Sequence, residues 1–263
     1  MAFALSNTTL TQSGTDTSLA GIGTMIAAIP TVARSIAYAL NAHIKPPSAN
    51  GFIYRCTVAG TSDAVAPTYG MVAGATTVDG TATFVAVIAP YSQVVGARTV
   101  YRISTYQAAF SGTLTWDAKL EGLEFYDCPT SPVVSFNSPA VITINSLINT
   151  KPTYDDSLII RPSVNTIQTE LRINSGATFN LNGARIVTSG IGSSDYQSVY
   201  INKGATVNVT NGWIKSSKNQ VRWGESGTGN MLAMNINGLI AEKIFTTIFG
   251  SSSIEKSCIF LVN

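Results

Sequence analysis

The sequence predicts an all-β protein: a right-handed parallel β-helix (solenoid) preceded by a small β module and a short N-terminal anchor segment. Three observations lead to this prediction. Residues 171–190 (LRINSGATFNLNGARIVTSG) and 199–218 (VYINKGATVNVTNGWIKSSK) repeat one pattern. Short runs of alternating apolar residues continue from about residue 93, without an amphipathic helix of useful length between them. Small-residue turns at positions 121, 145, 182, 211 and 237 are 24, 37, 29 and 26 residues apart, which indicates a stacked repeat.

The N-terminal anchor segment, residues 1–45, begins with a Ser/Thr-rich stretch and allows two interpretations between residues 20 and 42. Apolar residues recur at helical spacing on both sides of Pro30. The first interpretation is two short helices, and the second is a β-rung with a helical insertion. Pro30 and Arg34 interrupt the most apolar stretch, so we predict no membrane insertion. We also expect no secretory signal, because the N-terminus has neither a basic region nor a long apolar stretch.

The small β module is predicted over residues 46–92. Pro46, Pro47 and Gly51 mark its boundary with the preceding segment. An alternating run over residues 52–58 predicts a strand. Residues 76–87 predict a β-hairpin with Asp79-Gly80 at its tip, because Asp-Gly between β-branched residues is a strong hairpin signal.

The β-helix is predicted over residues 93–263. We expect Ile173, Phe179, Val207 and Val209 to point inward, and stacked Asn side chains to form amide ladders between coils. An antiparallel β-sandwich remains the alternative. The chain closes on the hydrophobic run EKSCIFLVN. Since solenoid ends need covering, either the β-helix is truncated there or neighbouring chains cover its end.

Composition narrows the class of protein further. Charged residues make up 11% of the chain, against about 25% in ordinary soluble domains, and this favours surfaces covered by hydroxyl and amide groups. The basic residues are scattered, so no nucleic-acid footprint is visible. The cysteines, Cys56, Cys128 and Cys258, are odd in number and have no metal-ligand spacing. We therefore expect buried free thiols, no metal site and no cofactor.

The module and the first residues of the chain resemble bacteriophage tail proteins. The strings GFIYRCTVAGTSDAVAPTYG and TTVDGTATFVAV are similar to a small β module common in those proteins, through residues Tyr54, Cys56, Gly60, Pro67, Tyr69, Asp79, Gly80 and Phe84. The opening LTQSGTDTSLAGI is similar to the starts of phage fibres and spikes.

This resemblance implies a tailspike or tail fibre. Such a protein would be made in the host cytoplasm, located on the virion, and assembled as a homotrimer. It would contact phage tail or baseplate proteins and recognise host cell-surface polysaccharide. A polysaccharide depolymerase, hydrolase or lyase, on a β-helix scaffold is the alternative. A bacterial surface adhesin would normally need a secretion signal.

The candidate site residues fall in the two repeats and the loops around them. The predicted glycan-binding aromatics, whose rings can stack on sugar faces, are Tyr196, Tyr200, Trp213 and Trp223. Asp195 and Glu225 are the carboxylate pair that we would assign to glycan cleavage. His43, the single histidine, lies next to a linker. No recognisable catalytic motif accompanies it, so we expect adhesion rather than catalysis.

Overall fold

The fold is described from a computed structural model covering residues 2–104, 107–128, 131–146, 156–162, 169–188, 199–202, 204–216, 221–223, 233–237 and 240–242. These residues contain one helix and 26 strands. In chain order they are β1 (Phe3–Ser6), β2 (Thr9–Gln12), β3 (Thr15–Asp16), α1 (Ala20–Ala28), β4 (Ala37–Tyr38), β5 (His43–Ile44), β6 (Phe52–Val58), β7 (Gly60–Thr61), β8 (Thr76–Asp79), β9 (Ala82–Ile88), β10 (Tyr91–Val95), β11 (Arg98–Ile103), β12 (Gln107–Phe110), β13 (Thr113–Asp117), β14 (Glu121–Cys128), β15 (Val133–Phe136), β16 (Val141–Asn145), β17 (Asp156–Pro162), β18 (Glu170–Ile173), β19 (Thr178–Asn182), β20 (Arg185–Thr188), β21 (Val199–Ile201), β22 (Thr206–Thr210), β23 (Trp213–Ser216), β24 (Val221–Trp223), β25 (Ala233–Asn237) and β26 (Ile240–Glu242). The predicted all-β class is confirmed.

Most of these strands belong to three sheets that the chain visits in rotation. Sheet 1 has the order β1-β2-β12-β15-β18-β21-β24, sheet 2 the order β3-β13-β16-β19-β22-β25, and sheet 3 the order β10-β11-β14-β17-β20-β23-β26. Every pairing from β11 onward in these sheets is parallel. Three consecutive strands, one in each sheet, form what we call a layer. Each layer therefore stacks on the layer before it, and together the layers form the stack.

The first layer is divided by an insertion. Strands β2 and β3 pair with β12 and β13, whereas the sheet 3 strand of the same layer is β11. Helix α1 and the module lie in the chain between β3 and β11. The predicted anchor segment, residues 1–45, is accordingly divided in space. Phe3, Leu10, Leu19 and Ile22 join the core of the stack, whereas Ile44 joins the core of the module.

The bounds of helix α1 decide in part between the two interpretations of residues 20–42. The helix ends at Ala28, and Ile29 is extended with φ −61° and ψ 118°, because a residue before proline disfavours the helical region. Residues after Pro30 form the strands β4 and β5 rather than a second helix. Within the described part of the chain, no helix is both long and apolar enough to cross a membrane.

The core of the stack is formed by inward-facing rows of apolar side chains. The four residues predicted to point inward, Ile173, Phe179, Val207 and Val209, are at most 3% exposed, and that prediction is confirmed. Aromatic rings stack along the layers as well. The ring of Phe136 lies 5.7 Å from that of Phe110 and 5.4 Å from that of Phe179. Such pairs add packing energy beyond the area that they bury.

Asn side chains form ladders along the stack, as predicted. Asn202 donates to Asn174 at 2.6 Å, and Asn174 donates to Asn137 at 2.6 Å. A second ladder runs from Asn208 to Asn180 at 2.7 Å and on to Thr143 at 3.0 Å. These bonds join positions 28 or 37 residues apart in the sequence. Each layer therefore fixes the position of the next through side chains as well as through the backbone.

The module is built on the antiparallel sheet β5-β6-β9-β8, with Tyr54, Cys56 and Phe84 in its core. Its predicted hairpin is present, but the two-residue turn is Gly80-Thr81 rather than Asp79-Gly80, because Asp79 still pairs with Ala82. Gly80 has φ +64°, and a side chain there would collide with the carbonyl oxygen of Thr61. Cys56 and Cys128 are buried, as expected, and Cys258 lies outside the described residues.

A polar cluster connects the module's turn to its core. The carboxylate of Asp79, only 1% exposed, pairs with Arg34 at 2.9 Å and accepts a hydrogen bond from the Tyr69 hydroxyl at 2.6 Å. It also accepts from the Asp63 N–H at 2.8 Å. Burial raises the pKa of Asp79, but these donors outweigh that effect and hold it below its usual value. The cluster therefore contains a carboxylate that is charged and fully satisfied.

Candidate functional site

The outer face of sheet 1 presents a row of polar side chains on successive layers. Because side chains alternate along a strand, the residues between the buried positions face away from the core. Ser135, Arg172 and Tyr200 are paired in register on β15, β18 and β21. The next position in the backbone register is Arg222 on β24. Neighbouring members of such a row lie about 4.8 Å apart, the spacing between paired strands.

Arg172 is held between a carboxylate and an aromatic ring. Its guanidinium donates to Glu170 Oε2, with distances of 2.6 Å from Nε and 2.5 Å from Nη2. The Glu170 side chain is 11% exposed and that of Arg172 is 46% exposed. The guanidinium carbon also lies 5.4 Å from the centroid of the Tyr200 ring. This geometry orients the guanidinium while leaving part of it open to solvent.

This arrangement is suited to binding a polar ligand with several hydroxyl or acidic groups. A guanidinium offers N–H donors in a fixed plane, and an aromatic ring offers an apolar face for stacking. The group formed by Glu170, Arg172 and Tyr200, which we call the sheet 1 site, combines both on adjacent strands. We take it as the candidate functional site.

The structure describes only some of the residues predicted for the site. Tyr200 is part of the sheet 1 site. Trp223 pairs in register with Ile201, whose side chain is buried. Trp213 is on a different sheet, where it pairs with Arg185. Tyr196 and the carboxylate pair Asp195 and Glu225 lie outside the described residues. The structure therefore places Tyr200 and Trp223 on strands of sheet 1 and Trp213 on a strand of sheet 3.

His43 lies at the junction between the module and the first layer. Its Nε2 is 3.1 Å from the carbonyl oxygen of Asn7. Burial lowers its pKa, the Asn7 carbonyl partly offsets this effect, and the charge of Arg55 lowers the pKa further. The imidazole is therefore neutral near pH 7. His43 lies on β5, a strand of the module sheet, whereas the residues of the sheet 1 site lie on β18 and β21.

Sheet 3 carries a second charged group that the sequence analysis missed. Arg102 Nε lies 2.6 Å from Glu124 Oε2, and Arg161 Nη1 lies 3.8 Å from Glu124 Oε1. The Arg102 guanidinium carbon is also 5.7 Å from the centroid of the Tyr91 ring, and its Nη1 contacts Gln93 Oε1. Glu124 is only 4% exposed, so this group is more enclosed than the sheet 1 site.

Arg172 and Glu170 were also missed, although one signal was available. They occupy positions i and i+2 of β18 and so share one face of it. Their proximity to Tyr200 depends on the register between β18 and β21, which the sequence shows only through the repeat. Among the residues that the structure describes, no cluster of three or more His, Cys, Asp or Glu side chains could hold a metal ion.

The comparisons with known proteins give no further identification. The chain matches no protein-family model, and no curated protein or solved structure is significantly similar to it.

Proposed function

We propose that the chain is a structural and adhesive protein of a phage virion, a tailspike or tail fibre. In this proposal the three parallel sheets form a right-handed parallel β-helix. The β-helix displays a surface for host glycan, and the module with the N-terminal residues contacts the phage tail or baseplate. The observation that carries the proposal is the sheet 1 site, a guanidinium and an aromatic ring on adjacent layers of a stacked, sparsely charged scaffold.

The periodicity of the stack supports recognition of a polymer. Polar side chains occupy one row on three successive layers, at Ser135, Arg172 and Tyr200, so a chain of sugars running along the stack would meet polar groups at regular intervals. The partly exposed Arg172 can bind an acidic sugar through charge-assisted hydrogen bonds. The Tyr200 ring can stack on a sugar ring, and Glu170 limits the orientations available to the guanidinium.

A panel of purified bacterial surface polysaccharides, measured by biolayer interferometry, tests the glycan proposal. We expect saturable binding to at least one acidic polysaccharide, and a loss of tenfold or more in the double variant Arg172→Ala and Tyr200→Ala. The control variant is Tyr91→Ala, which removes a partly exposed tyrosine on sheet 3. Absence of binding across the panel, or equal losses in both variants, would contradict the proposal. Release of new reducing ends would favour the depolymerase alternative.

The assembly part of the proposal has a separate test. In this proposal the chain assembles as a homotrimer. Size-exclusion chromatography with light scattering should then give a native mass near three times 27.7 kDa. A mass of 27.7 kDa at every concentration would contradict trimer formation by this chain.

A further inference from the structure

The second face of the module sheet carries a patch of apolar residues, although it does not face the module core. Tyr54, Cys56 and Phe84 occupy the core face. On the opposite face Ile53 is 2% exposed, and Val85 and Val87 are partly buried. An antiparallel sheet with a solvated second face usually carries polar residues there. We therefore expect this apolar patch to pack against another part of the protein or a ligand.

The first layer covers this face incompletely and leaves a cavity of about 290 Å³. Leu5 and Ile103 from the stack form the opposite wall. Small-molecule sites occupy roughly 300–1,000 Å³ and combine an apolar lining with a few polar groups. The cavity is therefore near the lower end of that range, which suits a small ligand.

Arg55 supplies the fixed positive charge of this cavity. It lies in one row across the sheet, paired in register with Val85 on one side and His43 on the other. Its Nη1 donates to Asn41 Oδ1 at 3.1 Å, whereas its Nε is buried and has no hydrogen-bond partner. Within the described part of the chain, no carboxylate lies within 4.0 Å of its guanidinium nitrogens.

A guanidinium without a carboxylate partner at a largely apolar cavity is energetically unfavourable, because removing a charge from water is costly unless the charge is paired. By contrast, Arg34 in the module and Arg102 on sheet 3 each pair with a carboxylate. His43 also lines the cavity but adds no positive charge, because its imidazole is neutral near pH 7. The cavity thus combines one unmatched positive charge with aliphatic walls.

We propose that this cavity binds a small carboxylate that has an aliphatic body. The carboxylate pairs with the Arg55 guanidinium, and the aliphatic body packs against Ile53, Val85 and Val87. Two features of the structure determine this ligand class: the anion pairs with a guanidinium that has no carboxylate partner, and the apolar body fills the space between the module and the first layer. The site is separate from the sheet 1 site and independent of glycan binding.

Isothermal titration calorimetry with octanoate and 1-octanol tests the proposal on the intact chain. The two probes share the aliphatic body and differ in the charged group. We expect octanoate to bind one site per chain at least tenfold more tightly than octanol, as a charge-assisted hydrogen bond predicts. Equal affinity of the two probes, or no saturable binding of octanoate, would overturn the proposal without the need for a variant.

The variant Arg55→Met keeps the length of the side chain and removes the donor. We expect it to lose tenfold or more in octanoate affinity and to bind octanol at least as well as the unchanged protein. Arg161→Met, on sheet 3, is the matched control and should leave both affinities unchanged. An Arg55→Met protein that is folded and binds octanoate normally would overturn the assignment of Arg55.

Discussion

Replacement of Phe179 by alanine tests the inward rows of the stack. Phe179 is 1% exposed, and its ring lies 5.4 Å from that of Phe136 in the layer before it. In register it is flanked by Ile142 and Val207, which are both buried. Truncation of a buried phenylalanine costs about 3–5 kcal/mol, which includes the lost contact with the neighbouring ring. We therefore expect the free energy of unfolding to fall by about 4 kcal/mol.

Urea unfolding followed by tryptophan fluorescence measures this loss. All three tryptophans lie between residues 116 and 223, outside the module, so their emission reports on the stack. The matched control is Thr178→Ala, one residue earlier on the same strand, where the side chain is partly exposed. We expect a change within about 0.5 kcal/mol there. A loss below about 1 kcal/mol for Phe179→Ala, or equal losses in the two variants, would refute the inward direction of Phe179.

Three further predictions concern the core, the ladders and the module. Val207→Asp should give no soluble protein because it buries an unpaired charge, whereas Thr206→Asp on the same strand should remain soluble. The amount of each variant in the soluble fraction after expression tests this difference. Asn180→Ala should lower the free energy of unfolding by about 1–2 kcal/mol in the same urea assay, because it removes two ladder hydrogen bonds, and no loss would contradict the ladder. The stabilisation that charged Asp79 gives the module should be present above about pH 3.9 and lost as pH falls through its depressed folded-state pKa. Calorimetric melting at a series of pH values should show this loss of stability in the unchanged protein and in the control Asp63→Asn, but not in Asp79→Asn. The same pH dependence in Asp79→Asn as in the unchanged protein would contradict the role of Asp79.

Local features of the fold could be predicted well from the sequence. The alternating residues 133–136 indicate a strand, and β15 has the same bounds; the inward positions of β19 and β22 follow from the same kind of alternation. The apolar pattern over residues 178–187 indicates one strand, but the structure has two strands separated at Gly183, where φ is +71°. Asn182-Gly183 had itself been identified as a turn, so the information was present in the sequence.

Other features depend on contacts between distant residues. The predicted turn at Glu121-Gly122 is wrong, because both residues lie in β14. A side chain at Gly122 would meet the end of the flexible Arg98 side chain, which would have to move. The pairing of β2 with β12 joins residues about a hundred positions apart, and no local pattern reveals it. The sheet 1 site depends on register in the same way.

The distance between Thr11 and Tyr200 tests the stacking of the layers most directly. Both residues belong to the outer row of sheet 1, on β2 and β21, with three strands between them. Four strand spacings of about 4.8 Å place their Cα atoms about 19 Å apart, although 189 residues separate them in the sequence.

Double electron–electron resonance between spin labels on cysteines introduced at these two positions measures that distance. The chain without the introduced cysteines is the control for labelling of the native thiols, of which Cys56 and Cys128 are buried. We predict one narrow distribution centred between about 15 and 25 Å. A broad distribution, or one centred beyond about 30 Å, would contradict the stacked layers and the incorporation of the N-terminal strands into them.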